Sequence, residues 1–304
     1  MKPAAFEYHA PRTIDEAVGL LAAHGDDAKV LAGGQSLVPL MNMRLARPRV
    51  IVDLNRVRGL DGLREARGVL KIGAMVRQRA AERSPLVASR CPLLRDALGW
   101  VGHPQIRNRG TIGGSVAHAD PAGEIPAVLA ALGGEVTVRG PKGARTIRAA
   151  ELFVTYLTTS IDARELLTEV RVPTLHPGAG WSWMEIARRH GDFALAGVGV
   201  VLALKRGVIT EARIGLTGVG PAPVRADAAE HLLTGSRPSE DLWQQAADAV
   251  RGAIDPDGDL HASAEYRRHV AGVLTVRALR EALGRAGAPP GVRRAPKTRG
   301  GSAA

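Results

Sequence analysis

The sequence predicts an α+β protein of two domains. The larger spans residues 1–176 in two lobes, about 1–55 and 56–176, and the smaller spans 177–285. Three observations carry this expectation. Short strand-like and helical stretches alternate in the first 55 residues, the order of a βαβ unit. A turn-rich run of apolar strands with intervening helices fills the middle. After residue 180 three apolar strands are followed by three helical stretches, the order of a sheet covered by helices. A chain of 304 residues also suits two domains on length alone.

Phe6–His9 reads as a short strand. Thr13-Ile14-Asp15-Glu16 is a capping box, in which the Thr13 hydroxyl takes a helix N–H and Glu16 reaches back. The helix it starts places Ala17, Leu20 and Leu21 on one face and stops near Gly25. Lys29–Ala32 and Val50–Leu54 are strands that complete the first lobe. Val69–Ala74 opens the second lobe, Pro92–Val101 is helical, and the stretch after it reads as a loop until a helix over 125–132. Glu135–Arg139 and Arg145–Arg148 form a hairpin across Gly140-Pro141-Lys142-Gly143, and Leu166–Pro173 alternates until its proline. Pro177, Gly178 and Gly180 mark a boundary near 174–180. Beyond it, strands at Trp181–Arg189, Ala194–Leu204 and Ala212–Gly218 form a three-stranded antiparallel sheet. Helices near 226–233, 239–254 and 263–284 form a bundle against it. Residues 286–304 are rich in Gly, Pro, Ala and basic residues and read as a disordered basic tail.

Two segments pair glycines with a hydroxyl residue: Ala32-Gly33-Gly34-Gln35-Ser36 and Thr111-Ile112-Gly113-Gly114-Ser115. Glycine reaches φ > 0 and lets a ligand touch the backbone. Successive N–H groups in such a turn make an anion nest, and a hydroxyl adds a donor. A single Gly-Gly pair is usually only a turn. Two nests about eighty residues apart suit a ligand with two linked phosphates, a dinucleotide gripped from both sides. Gly197-x-Gly199 and Gly218-x-Gly220 lack the third glycine and the strand-to-helix setting of a Rossmann turn, and no GxxxxGK[ST] occurs.

Composition narrows the classes further. The longest apolar run, Ala194–Leu204, is too short to span a bilayer, and no N-terminal signal segment is evident, so a cytoplasmic chain is expected. The lone Cys91 can form no internal disulfide and hold no iron–sulfur cluster, and reads as a partly buried thiol. The nine histidines show no metal-ligand spacing. The net charge of +11 is partly local to the tail, and with 3% aromatics no nucleic-acid partner is expected. No nucleophile–base triad or paired-carboxylate motif occurs, so no residue is assigned as catalytic and a cofactor would carry the chemistry.

The first segment continues Leu37-Val38-Pro39-Leu40-Met41-Asn42-Met43-Arg44-Leu45. The second is embedded in His103-Pro104-Gln105-Ile106-Arg107-Asn108-Arg109-Gly110 and continues Val116-Ala117-His118-Ala119-Asp120-Pro121-Ala122-Gly123-Glu124. A third stretch reads Arg188-Arg189-His190-Gly191-Asp192-Phe193-Ala194. In this order and spacing, from about Phe6 to about Leu283, the chain resembles the medium, FAD-binding subunit of the molybdenum hydroxylases. Carbon monoxide dehydrogenase medium chains and bacterial xanthine dehydrogenase FAD subunits are of this type.

The resemblance implies a PCMH-type, vanillyl-alcohol-oxidase-like flavin domain, a small C-terminal domain and one non-covalent FAD. Ala32, Gly33, Gly34, Gln35, Ser36 and Leu37 would hold its pyrophosphate from one side, and Thr111, Gly113, Gly114 and Ser115 from the other. His118 and Asp120 belong to the same binding motif. Glu124 either meets the ribityl or ribose hydroxyls or is an ordinary helix N-terminal acid. Asp192 and Phe193 fall near the isoalloxazine ring, where Phe193 either stacks on it or starts a buried strand. The resemblance also implies two partners, a small subunit with [2Fe–2S] clusters and a large one with the molybdenum cofactor, in a dimer of heterotrimers. Electrons would pass from the clusters through FAD to NAD, a quinone or another acceptor, while substrate meets the large subunit. The alternative is a stand-alone flavin oxidase of the same fold. Such enzymes usually carry a substrate-cap domain and often a His or Cys flavin link. Here the C-terminal domain is short for a cap and Cys91 lies outside the motifs.

Overall fold

A computed structural model describes residues 2–287. The first lobe is a parallel sheet of β1 (Glu7–His9), β2 (Ala28–Leu31) and β3 (Val50–Asp53) in the order β1-β3-β2. Between β1 and β2 runs α1 (Ile14–His24). Thr13 Oγ1 accepts from Glu16 N at 3.2 Å, and Glu16 Oε2 accepts from Arg12 N at 2.7 Å, the capping box closing one residue further out. Ala17, Val18 and Leu21 bury against Val50 and Val52, with Leu20 only half-buried. Between β2 and β3 the chain makes the first glycine segment and α2 (Leu37–Asn42).

The second lobe begins with β4 (Leu63–Ala66) and β5 (Val69–Gly73). It continues through α3 (Gln78–Arg83), α4 (Pro85–Arg90), α5 (Pro92–Leu98), α6 (Pro104–Arg109), α7 (Ile112–His118) and α8 (Glu124–Ala131). It ends with β6 (Glu135–Gly140), β7 (Gly143–Arg148), α9 (Ala149–Leu152), the ribbon β8 (Phe153–Thr155) and β9 (Thr158–Thr159), and β10 (Leu166–Pro173). Five of these strands form an antiparallel sheet in the order β4-β5-β10-β6-β7. Its apolar face, Leu70, Ile72, Val136, Val138 and Val170, joins Leu93, Leu98, Ile112 and Ile125 from the helices in one core. The expected loop after α5 is therefore corrected. It folds as α6 and α7, because Pro104 and Thr111 each stand where a helix can begin. Cys91 is fully buried in this core, and burial pushes its thiol up to about 12, so it is inert.

The last part holds β11 (Gly180–Ala187), β12 (Ala194–Lys205), β13 (Val208–Thr217) and β14 (Val224–Arg225), then α10 (Asp227–Leu233), α11 (Glu240–Ala253) and α12 (Ala264–Arg285). The sheet is antiparallel, in the order β11-β12-β13-β14, so the expected three strands are corrected to four. The fourth is two residues long, below what a periodicity can signal. β12 is apolar on both faces because both are covered. Ala196, Val198, Val200 and Leu202 meet the three helices, and Val201 joins the core of the second lobe. α8 lies so close to β13 that a Cβ on Gly215 would stand 2.6 Å from Ala127 O. Thr217 Oγ1 reaches Pro121 O at 2.9 Å and Gly123 O at 3.0 Å, which seats the start of α8 on this sheet. No helix among the described residues is long and apolar enough to cross a membrane. Beyond Gly287 the basic tail lies outside the described residues.

Candidate cofactor site

The two glycine segments face each other across the head of one cleft of about 1280 Å³. The first leaves β2 at Leu31 and turns into α2, with Gly34 at φ +76°. Among the described residues, nothing in the protein accepts from the N–H groups of Gly33, Gly34, Gln35 and Ser36. Gln35 Nε2 bonds Gly33 O at 3.1 Å and braces the turn. Gly33 is required by close approach, since a Cβ there would lie 2.5 Å from Arg109 O and 2.8 Å from Gly110 Cα. The backbone of the first segment therefore packs on Arg109 and Gly110, the two residues that lead into the second.

The second segment is built differently. Thr111 is the N-cap of α7, and its Oγ1 accepts from Gly114 N at 3.0 Å. Ile112 N donates to Val76 O at 2.9 Å and Gly113 N to Ala74 O at 3.0 Å. The expectation of two open amide nests is thus corrected. The amides of Gly113 and Gly114 are spent inside the protein, because the segment is a capped helix sewn to the stretch after β5. Its glycines serve closeness instead. A Cβ on Gly113 would stand 2.6 Å from Ala74 Cα, and one on Gly114 would stand 3.5 Å from Ala32 Cβ. The motif ends at Ala119 in the left-handed region (φ 52°), and Asp120 Oδ1 accepts from Ala122 N at 2.9 Å.

Residues that the motifs do not contain hold the segments together. Asn55 Nδ2 donates to Ala32 O at 3.0 Å, Arg77 Nη2 donates to Asn55 Oδ1 at 2.6 Å, and Arg77 Nη1 donates to Arg109 O. This chain of bonds ties the first segment to Arg109, two residues ahead of the second. Arg107 is buried and satisfied by Glu82, Val101 O and Gly102 O, so that basic residue of the motif is a prop rather than a ligand. Asn55 and Arg77 carry no local motif, nor does Gln78, which borders the cleft.

Down the cleft, Glu124 is the first residue of α8 and is buried. Burial pushes its carboxyl up to about 8, and the charges of Glu185 and Asp120 push the same way. Glu185, on β11, accepts from Trp183 Nε1 at 3.1 Å, and burial raises it to about 7. Burial thus holds both carboxyls well above the usual carboxylate range. At the mouth, Phe193 is 73% exposed and precedes β12, so it does not start a buried strand. Tyr156 OH donates to Asp257, and both residues also line the cleft. Arg267 is fixed by Leu195 O (2.8 Å), Gly218 O (3.1 Å) and Asp259 (2.8 Å). Asp259 is held near 2 by the amides of Ala262 and His261.

All fifteen residues singled out from the sequence border this cleft: Ala32 to Leu37, Thr111, Gly113 to Ser115, His118, Asp120, Glu124, Asp192 and Phe193. The cleft also takes in residues that no motif marks, among them Arg188, Asp257, His261 and Arg267.

Two protein families match the chain. One is the FAD binding domain in molybdopterin dehydrogenase, over residues 4–175. The other is the CO dehydrogenase flavoprotein C-terminal domain, over residues 181–282. The 6-hydroxypseudooxynicotine dehydrogenase complex subunit alpha of Paenarthrobacter nicotinovorans is 44% identical over 94% of this chain and 97% of its own length. The carbon monoxide dehydrogenase medium chain of Hydrogenophaga pseudoflava is 40% identical over 94% of this chain and 99% of its own. The solved carbon monoxide dehydrogenase of the same organism superposes with a TM-score of 0.92 at 42% identity, covering 94% of this chain and 100% of that one. With both family matches in register with the cleft-forming lobes and the last sheet, the chain belongs to the molybdopterin dehydrogenase family, as a FAD-binding medium subunit of the carbon monoxide dehydrogenase type.

Proposed function

We propose that this chain holds one FAD non-covalently in the cleft and relays electrons within a molybdenum hydroxylase. The observation that carries the reading is the run of unpaired N–H groups from Gly33 to Ser36, in a cleft of about 1280 Å³ that both glycine segments line. When bound, FAD supplies a carrier that takes electrons singly and releases them in pairs. The rest is done by the chain. Gly33 to Ser36 bind the pyrophosphate, and Leu37 backs that turn. Thr111, Gly113, Gly114 and Ser115 form the opposing wall. His118, Asp120 and Glu124 line the path of the ribityl or ribose hydroxyls. Asp192 and Phe193 flank the ring at the mouth. Cys91 is too deeply buried to form a flavin link.

The partners proposed are a small subunit with [2Fe–2S] clusters and a large subunit with the molybdenum cofactor, in a dimer of heterotrimers. This inventory supports the assignment, since one cysteine cannot ligate a cluster. A lone free thiol also suits the reducing cytoplasm as its compartment. Relatives of 44% and 40% identity are named for different substrates, so the substrate follows the large subunit and not this chain. Purification from the native host tests the reading at once. Acid precipitation should release the flavin as FAD, one per chain, and two companions carrying iron–sulfur and molybdenum should co-purify. FMN, flavin retained in the pellet, or a chain without companions would overturn it.

A further inference from the structure

Arg77 stands where the two glycine segments are joined. Its backbone pairs with Thr111 in an isolated antiparallel bridge, which sets it beside the second segment. Its side chain reaches the first. Nη2 donates to Asn55 Oδ1 at 2.6 Å, and Asn55 Nδ2 donates to Ala32 O at 3.0 Å. Nη1 donates to Arg109 O, the same oxygen that a Cβ on Gly33 would meet at 2.5 Å. The guanidinium is therefore one acceptor atom away from Gly33 and one side chain away from Ala32. Arg77 does not itself line the cleft.

Both hydrogen bonds of the guanidinium end on neutral oxygens. Among the described residues neither Arg77 nor Arg109 forms an ion pair. Burial and the Arg109 charge press the Arg77 guanidinium below the usual arginine range, while the Asp53 charge works the other way. Asp53 spends its oxygens on Tyr8 OH at 2.5 Å and Asn55 N at 2.9 Å. Two like charges thus stand unneutralised beside a turn whose amides already suit an anion. A pyrophosphate held by those amides would ease their repulsion, and a fixed positive charge close by strengthens its binding. We propose that Arg77 is a positioning residue for FAD, whose guanidinium sets a positive charge, not cancelled by any acid, beside the Gly33–Ser36 turn that takes the pyrophosphate. It acts on the cofactor through its field and through the segments it joins, not by contact.

The inference rests on the FAD reading above, and its test separates the two. The protein is purified from the native host with the companions it carries, stripped of flavin and titrated with FAD by flavin fluorescence. Titrations run at about 0.05 M and about 0.5 M salt, where screening is weak and strong. Arg77→Gln and Arg77→Met remove the charge. Arg77→Lys keeps it without the guanidinium fork, and Asn55→Ala cuts the tie to Ala32 while leaving the charge in place. Circular dichroism checks the fold of each. Removing the charge should weaken FAD about tenfold at low salt and only about twofold at high salt. Arg77→Lys and Asn55→Ala should stay within about threefold of wild type and keep its salt dependence. A charge-free variant that folds and binds FAD as tightly as wild type at low salt would overturn the inference. So would a loss that salt does not shrink, or an equal loss in Arg77→Lys, since either is the mark of a tie with no electrostatic part. Failure of wild type itself to take up FAD would strike the cofactor reading instead.

Discussion

The two glycine segments look alike on paper, each a glycine pair beside a hydroxyl residue, yet they are built for opposite ends. In the first, a strand runs out at Leu31 and the N–H groups of Gly33 to Ser36 are left open. In the second, Thr111 caps a helix, and the amides of Ile112, Gly113 and Gly114 are all consumed by Val76, Ala74 and Thr111 itself. The same dipeptide therefore supplies donors in one place and smallness in the other. What decides is the preceding residue and its partners. A β-region threonine caps a helix that begins inside the segment, whereas after the strand end and Gly34 at φ +76° the helix begins only at Leu37.

Valine at one glycine of each pair tests this difference most severely. Gly113→Val drives a branched side chain into the backbone of Ala74 and should cost about 3 kcal/mol, roughly 6–12 °C in Tm. Gly34→Val meets only Val38 Cγ2 at 3.2 Å and Leu31 Cδ1 at 3.3 Å but must hold a left-handed φ, at about 1–2 kcal/mol. The flavin-free protein should thus lose more stability from the second segment. Flavin content per folded chain should suffer more from the first. Calorimetry with bound flavin measured in parallel decides it, and the reverse ranking would erase the distinction.

The hydroxyls sharpen it with a smaller effect. Thr111→Val removes the cap on Gly114 and should lower stability by about 1 kcal/mol, with Thr111→Ser restoring most of it. Ser36 precedes α2 without capping it, so Ser36→Ala should stay within about 0.5 kcal/mol while still weakening flavin binding. Equal destabilisation by the two changes, read from denaturant midpoints, would contradict the assignment of one hydroxyl to structure and the other to ligand.

The mildest effect is on pH dependence. Glu124 and Glu185 are raised in the fold from an ordinary value near 4.5 to about 8 and about 7, mainly by burial. Between those limits the folded chain binds more protons than the unfolded one. Stability is then full below about 4.5 and falls as pH rises towards 8. Glu185→Gln should flatten the Tm profile between pH 5 and 8, and a slope unchanged from wild type would show that burial does not raise Glu185 in the fold.

The long ordered motif, the capping box at Thr13, the hairpin around Pro141-Lys142 and the two-faced apolar run of β12 were all legible in the chain. Each is a local pattern, or a run whose burial follows from its composition. So was the membership of the fifteen cleft residues, because they sit inside contiguous motifs. Local sequence could not specify which amides stay open, since a bond from Gly113 N to Ala74 O joins residues far apart in the chain. Nor could it single out Gln78, Asn55, Arg77 or Glu185, which reach the site by packing rather than by spacing. The two-residue strand β14 and the close seat of α8 on Gly215 were decided by the same cause. Backbone hydrogen bonds and close approach are properties of neighbours in space, and only the tertiary structure says which neighbours those are.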